Sequence, residues 1–265
     1  MCFIIVIWGR KTMRNQQLQT DYTEDMVDYW KERSHTYSKD NRSQLENEKK
    51  TVWENLILSN TTQEKQLNIL DVGTGPGFFA VLLAQKGHHV TAVDVSADML
   101  EHAKENLNYY QVHADLRLLD GNDLPFSDDT FDLVISRDVT WTLQQPEETL
   151  LEWKRVVKPG GQILYFDANW YYHLFDEEWM KLHLENEEIK SQNGLPIHDK
   201  GKVMEEIARE LPMSKRLRPT WDLEELPQLG FRNVKALKNL NSVIYTEEEQ
   251  LKYRSKPEFL VIAEK

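Results

Sequence analysis

The sequence predicts an open α/β fold, a doubly wound and mostly parallel sheet of seven strands with helices on both faces, completed by an antiparallel final strand pair. Three observations carry that expectation. Short apolar runs alternate with segments of helical length from residue 66 to residue 167. At the first strand-to-helix junction glycines fall at 73, 75 and 77. The alternation then stops between 170 and 220, where helix-like stretches follow one another without a strand. Such alternation is what parallel strands joined by helical crossovers produce.

The elements follow in order. Residues 1–20 hold an apolar run from Cys2 to Trp8, far short of the roughly 20 residues a membrane-spanning helix needs. It lacks the charged lead and small-residue cleavage site of a signal peptide. With Met13 and Met26 just downstream, this stretch reads as an extension set by the choice of start codon. Residues 21–60 read as an N-terminal helical lid. There Met26, Tyr29, Trp30 and Arg33 recur at three- and four-residue steps, and a second helix is expected over 43–58. Residues 61–169 form the expected core, with strands at 66–72, 89–94, 116–119, 131–136 and 162–166. Between them lie helices at 77–86, from the Ser96 cap to 108, and over 146–157, the last stopped by KPGG at 158–161. Residues 170–220 are expected to be an inserted cap with helices near 176–190 and 202–211. Residues 221–265 supply a C-terminal helix and strands at 231–237 and 259–264, joined by a polar loop.

Composition narrows the function. Lys and Arg total 32 against 44 Asp and Glu, a net charge of −12, so the surface repels phosphate and a nucleic-acid partner is not expected. The single cysteine, Cys2, rules out an intramolecular disulfide and any multi-cysteine metal site, and fits a cytoplasmic address. No membrane partner is expected. With 40% hydrophobic residues the chain can fill a core.

The strongest local signal is ILDVGTGPG at 69–77. Gly73, Gly75 and Gly77 let a ligand press against the backbone at a helix N-terminus. The dinucleotide fingerprint wants its third glycine three residues after the second, and the spacing here is tighter. Asp71 also places a carboxylate where a pyrophosphate would lie, which suits a cationic ligand instead. Asp94 ends the second strand 21 residues after Gly73, where a carboxylate can accept from both hydroxyls of a ribose. The plainer role for Asp94 is a helix N-cap, for which Ser96 is available.

The chain resembles the class I S-adenosylmethionine-dependent methyltransferases, most closely the small-molecule group similar to those of quinone biosynthesis. The resemblance runs from Leu67 to Asn169. It rests on LDVGTGPG, the acidic strand end at Asp94, DGNDLPFSDDTFDLVIS at 120–136 and LLEWKRVVKPGGQILYFD at 150–167. It implies a Rossmann-like core with S-adenosyl-L-methionine as cofactor. The amino-acid part of that cofactor would meet Asp71, Gly73 and Gly75; the ribose would meet Asp94, with Val95 near the adenine; Asp120 would meet the adenine amine, with Gly121 and Asn122 beside it; Thr74, Gly77 and Met99 are further cofactor-binding candidates. LDGNDLPF departs from the family's GDA-x-x-LPF pattern, which leaves Asp120 in place and loosens the role of Asn122. Where strand four exits, SRDVTW makes Arg137 a cofactor-carboxylate or wall residue and Asp138 and Trp141 pocket candidates.

Methyl transfer needs positioning first and a general base only when the acceptor must lose a proton. The base candidates are His35, Tyr37, His173 and Asp138. Tyr37 is also a candidate for the cofactor carboxylate, with Trp30 beside it in the lid. The aromatics Trp170, Tyr171 and Tyr172 stand where the acceptor pocket should open, and either they or Trp141 can equally be core. The acidic run 176–188 with His183 reads as a solvated helix face rather than metal ligands, so no metal is expected. Arg216 and Arg218 read as a solvated loop or as ligands for an acidic acceptor. The expected activity is methyl transfer to a small-molecule acceptor by a monomer or homodimer. A non-catalytic S-adenosylmethionine-binding regulator and a nicotinamide-linked oxidoreductase are the competing readings.

Overall fold

The structure is a computed structural model that describes residues 29–30, 35, 37–61, 66–195 and 201–265. The expected extension at 1–20, and Met26 and Arg33 of the expected lid, lie outside the described residues. Residues 37–45 are helical and α1 is Lys49–Leu58. The sequence pattern suggested one helix over 43–58, but the chain bends at 46–48, where the Asn47 side chain accepts from the Lys49 N–H at 2.9 Å. An Asn oxygen competing for a backbone donor is a common way to restart a helix.

Then come β1 (Asn68–Val72), α2 (Phe78–Gln85), β2 (His89–Asp94), α3 (Ala97–Tyr109), β3 (Asp115–Leu118) and β4 (Phe131–Arg137). After these follow α4 (Pro146–Val156), β5 (Val157–Ala168), α5 (Glu177–Gln192) and α6 (Gly201–Glu210). The chain ends with α7 (Thr220–Gln228), β6 (Arg232–Leu237), α8 (Asn241–Ile244), α9 (Glu247–Lys252) and β7 (Glu258–Glu264). The Ser96 hydroxyl accepts from the Met99 N–H and caps α3. Pro146 opens α4, whose first turn carries Glu147 and Glu148 and whose last carries Lys154 and Arg155, each sign matched to the helix dipole.

The sheet order is β3-β2-β1-β4-β5-β7-β6, parallel through β5, with β7 antiparallel to both β5 and β6. Strand residues alternate between two cores. Ile69, Leu133, Leu164, Phe166 and Ile262 pack under α1 and α2, with Trp53 and Phe79. Leu70, Val134, Tyr165, Val261 and Ala263 pack on the other face, with Trp153 and Leu226. Burial on both faces is why the strands read as continuous apolar runs.

Two expectations are corrected. β5 begins at Val157, so KPGG lies inside the strand, with Gly160 at φ +75° absorbing the irregularity. The link between β6 and β7 is helical, with α9 closed by a capping box between Thr246 and Glu249. The sequence TEEEQLK carries that box and was legible as such.

Candidate active site

The order of connection reverses between β1 and β4, which are neighbours in the sheet. Open α/β sheets bind ligands at the carboxyl edge beside such a reversal, because the crossovers diverge there and leave a crevice. The loop after β1 and the exit of β4 form its walls. Gly73 and Thr74 both donate to the Val93 carbonyl, at 2.9 and 3.0 Å, so the loop is clamped to β2. Gly73 has φ +67°, and a Cβ there would lie 2.3 Å from Val139 Cγ2, closer than any side chain tolerates. Gly75 has φ +54° and faces the Tyr37 ring, 3.7 Å from where its Cβ would be.

Two carboxylates hold this loop, and a third stands at the β4 exit. Asp71 is buried and accepts from the Thr74 hydroxyl at 2.6 Å, and burial pushes its carboxyl up to about 7. Asp94 is buried too. Its Oδ2 accepts from the Gly75 N–H at 2.7 Å and its Oδ1 from the Ser96 N–H at 2.9 Å, while burial pushes its pKa up. Asp94 therefore holds the glycine loop, and Ser96 does the capping. Each oxygen keeps a second lone pair for a hydroxyl donor.

Asp138 follows β4 at φ +58°, with Oδ1 buried and unpartnered, and burial pushes its carboxyl up to about 6. Beside it the Arg137 guanidinium lies over the Trp53 and Phe78 rings, 4.6 and 4.9 Å from their centroids, and donates to Gln44 Oε1 at 3.3 Å. These stacked contacts fix the guanidinium against the sheet edge.

Glu258, the first residue of β7, is the residue that sequence reasoning missed. It is 1% exposed, accepts from the Tyr245 hydroxyl and leaves Oε1 without a partner. Burial, with Asp138 adding repulsion, pushes its carboxyl up to about 8. β7 is antiparallel to β5, so its first residue pairs with Ala168 at the same edge where the parallel strands end. An acid opening the last strand was the available signal.

Tyr37, Asn41, Asp71, Gly73, Thr74 and Arg137, with Phe78 and Phe79, enclose a cavity of only about 20 Å³. That is room for one water, so a nucleoside ligand requires the Tyr37 side of the wall to move. Burial pushes the Tyr37 phenol up, so it stays neutral and can donate. Trp30 stands 5.7 Å from Tyr37, centroid to centroid.

The other candidates divide. Trp141 packs with Tyr171 at 5.2 Å, next to Met204, Ile207 and Leu211 of the segment between β5 and α7, and its Nε1 donates to the Asp138 carbonyl at 3.0 Å. Trp170 donates to Asp167 Oδ1 at 2.8 Å. Tyr172 instead packs on Trp179 of α5, so it belongs to the internal packing of that segment. His35 is exposed and lies against His102, on an open groove between the N-terminal helix and α3 that Tyr37 does not share. His173 is buried and stacked on His183, and burial pushes its pKa down to about 3, so it is neutral. Met99 is buried on α3 and Val95 is 43% exposed just beyond β2.

Asp120 is exposed and turned inward on its own loop, accepting from the Asn122 amide and side chain at 3.1 and 2.7 Å; Gly121 accepts from Trp153 Nε1 at 3.0 Å. Arg218 is not on a solvated loop. It is 3% exposed, bidentate on Asp222 at 2.7 Å, and within reach of Asp167 and Thr140. Arg216 stacks over Trp221 at 4.3 Å and pairs with Glu147 at 2.7 Å.

The fold and the acid-lined glycine loop define an α/β domain with a crevice at the carboxyl edge of its sheet. Residues 70–165 match the family described as a methyltransferase domain. The malonyl-[acyl-carrier protein] O-methyltransferase of Erwinia pyrifoliae is 40% identical over 111 residues, which are 41% of this chain and 40% of that protein. The demethylmenaquinone methyltransferase of Clavibacter sepedonicus is 40% identical over 100 residues, 36% of this chain and 39% of that protein. The matched stretch thus spans about two fifths of the length of these curated relatives. Among solved structures, a SAM-dependent methyltransferase from Aquifex aeolicus shares the fold with a TM-score of 0.50 at 22% identity, over 83% of this chain and 92% of that one. Over residues 70–165 the chain is therefore similar to methyltransferase domains.

Proposed function

We propose that the protein transfers the methyl group of S-adenosylmethionine to a small-molecule acceptor that brings a hydrogen-bond donor, an amine or hydroxyl, to the β4 exit. The observation that carries this reading is the convergence of Asp71, Asp94 and Asp138 on one loop and one strand exit, with Asp138 Oδ1 buried and unpartnered. The donor set fits the cofactor. Asp71 and Asp138 suit an ammonium and a sulfonium, Asp94 suits a ribose, and Tyr37 and Arg137 suit a carboxylate.

The bound sulfonium supplies a methyl carbon already activated for in-line displacement. The protein's part is to align the acceptor and exclude water, which the lid around Trp30 and Tyr37 and the cap over 170–220 perform. With the cofactor bound, an acceptor N–H or O–H at the β4 exit would hand its proton to the Asp138 carboxylate, whose pKa of about 6 leaves it mostly ionised at neutral pH. Glu258, protonated near neutrality, offers a neutral carboxyl at the same wall. Trp141 and Tyr171 form the apolar side of the acceptor site. The proposed address is cytoplasmic, which the single cysteine, Cys2, fits. The assembly is a monomer or homodimer.

The deciding experiment incubates the protein with methyl-labelled S-adenosylmethionine and fractionated metabolite pools. Label should appear in a small-molecule fraction and depend on Asp138. Tight S-adenosylhomocysteine binding without label transfer to any fraction would turn the reading toward a regulator.

A further inference from the structure

Away from the glycine loop, the segment between β5 and α7 holds a second group of chemistry-bearing side chains. His173 lies on the short turn after β5 and His183 on α5, with ring centroids 3.9 Å apart and planes 12° apart. Glu205 on α6 completes the set, since one ligand atom from each of the three lies within 4.8 Å of the others. His173 is 5% exposed, and its Nε2 and the Nδ1 of His183 are buried with no hydrogen-bond partner. Two buried ring nitrogens without partners on stacked rings call for an explanation, because buried polar atoms are otherwise satisfied.

We propose that His173, His183 and Glu205 bind a divalent transition-metal ion that staples the turn after β5 to α5 and α6. Two imidazoles and one carboxylate suit zinc, cobalt, nickel or iron, whereas magnesium and calcium want an all-oxygen shell. The site stands independently of methyl transfer, because none of its three ligands touches the glycine loop, and its test reads metal rather than turnover.

The geometry also states what binding must change. Ligand atoms around a tetrahedral zinc ion at about 2.1 Å stand roughly 3.4 Å from one another, so the set must draw together. Stacked rings hold their lone pairs in near-parallel planes, which cannot both pass through one ion, so one imidazole turns out of the stack. Rotation about side-chain torsions supplies both movements while the backbone stays put. Lys256, Arg209 and Lys190 put a positive potential at His173, and Glu187 offsets part of that of Lys256 and Lys190 at His183. These cations oppose an incoming dication, and that opposition is itself testable.

The experiment uses untagged, full-length, chelator-treated protein with zinc chloride or cobalt chloride as the probe. Saturable one-to-one binding, ligand-field absorption in the visible with cobalt, and a melting temperature raised by several degrees with zinc but not magnesium are expected. His183→Ala and Glu205→Gln should each weaken binding by roughly tenfold or more, while Lys256→Met should tighten it. Glu205→Gln changes one atom on a half-buried helix position, so it keeps the test open if the alanine variant fails to fold. Absence of saturable binding, equal stabilisation by magnesium, or affinity unchanged in Glu205→Gln would overturn the assignment.

Discussion

Replacing Asp94 with alanine separates two roles that one carboxylate plays. Its oxygens accept from the Gly75 and Ser96 amides at 2.7 and 2.9 Å, and each such charge-assisted bond is worth about 1.5–3 kcal/mol. Losing both would cost about 3–6 kcal/mol. Burial already penalises the charge, as its raised pKa shows, so part of that cost returns when the carboxylate is removed. A net loss of about 2–4 kcal/mol remains, which in a chain of this size lowers the melting temperature by roughly 5–15 °C. Ribose hydroxyls lose the same acceptor, so S-adenosylhomocysteine should bind about 10–100-fold more weakly. Thermal unfolding without ligand reads the first effect. Calorimetric titration below the variant's unfolding range reads the second. An unchanged melting temperature would refute the account of how the glycine loop is held, and unchanged affinity in the folded variant would refute the ribose role.

Glu258→Gln should stabilise the protein increasingly as pH rises. The folded state holds this proton up to about pH 8 against an ordinary 4.5, so wild-type stability is greatest below that lower value and falls as pH climbs between the two. The variant escapes the loss, and melting curves across that window that stay parallel would contradict it. Gly73→Ala should destabilise and abolish cofactor binding through the 2.3 Å clash with Val139, with partial rescue in a Gly73→Ala/Val139→Ala double variant. Tyr171→Ala should impair acceptor turnover more than cofactor affinity, whereas Tyr172→Ala should change turnover little; kinetics of both with the same acceptor decide it. Hydrogen exchange over residues 37–45 should slow on adding S-adenosylhomocysteine, after an opening that lets Tyr37 leave the glycine loop, and equal exchange in both states would reduce the segment to packing.

The sheet was legible because its signals are local. Strands buried on both faces read as unbroken apolar runs, and the turn between β1 and α2 can be built only with glycines, so position and residue type coincide. Asp71 and Asp94 followed from their offsets to that turn. Glu258 did not, because its place in the site depends on β7 running against β5, a long-range pairing that no window around residue 258 contains. His183 was misread for a related reason. The acids around it do face water, yet a helix has two sides, and the side bearing His183 and Asn186 meets partners at residues 173, 251 and 255. Arg218 looked like loop charge until Asp167 and Asp222, from a strand and a helix, closed around it.

Asn169 and Arg218 are joined twice, side chain to backbone, with Nδ2 donating to the Arg218 carbonyl at 2.7 Å and the Arg218 N–H donating to Oδ1 at 2.9 Å. The chain between them leaves the sheet edge and returns to the same spot, like a drawstring pouch tied at its neck. Because the knot is made from the two neck residues and not from the contents, closing it costs only the slowly growing entropy of a longer or shorter loop. The contents are therefore exchangeable. A different stretch sewn between the same two residues would keep that tie, so exchanging residues 170–217 between relatives is the way to ask whether acceptor choice lies in this segment.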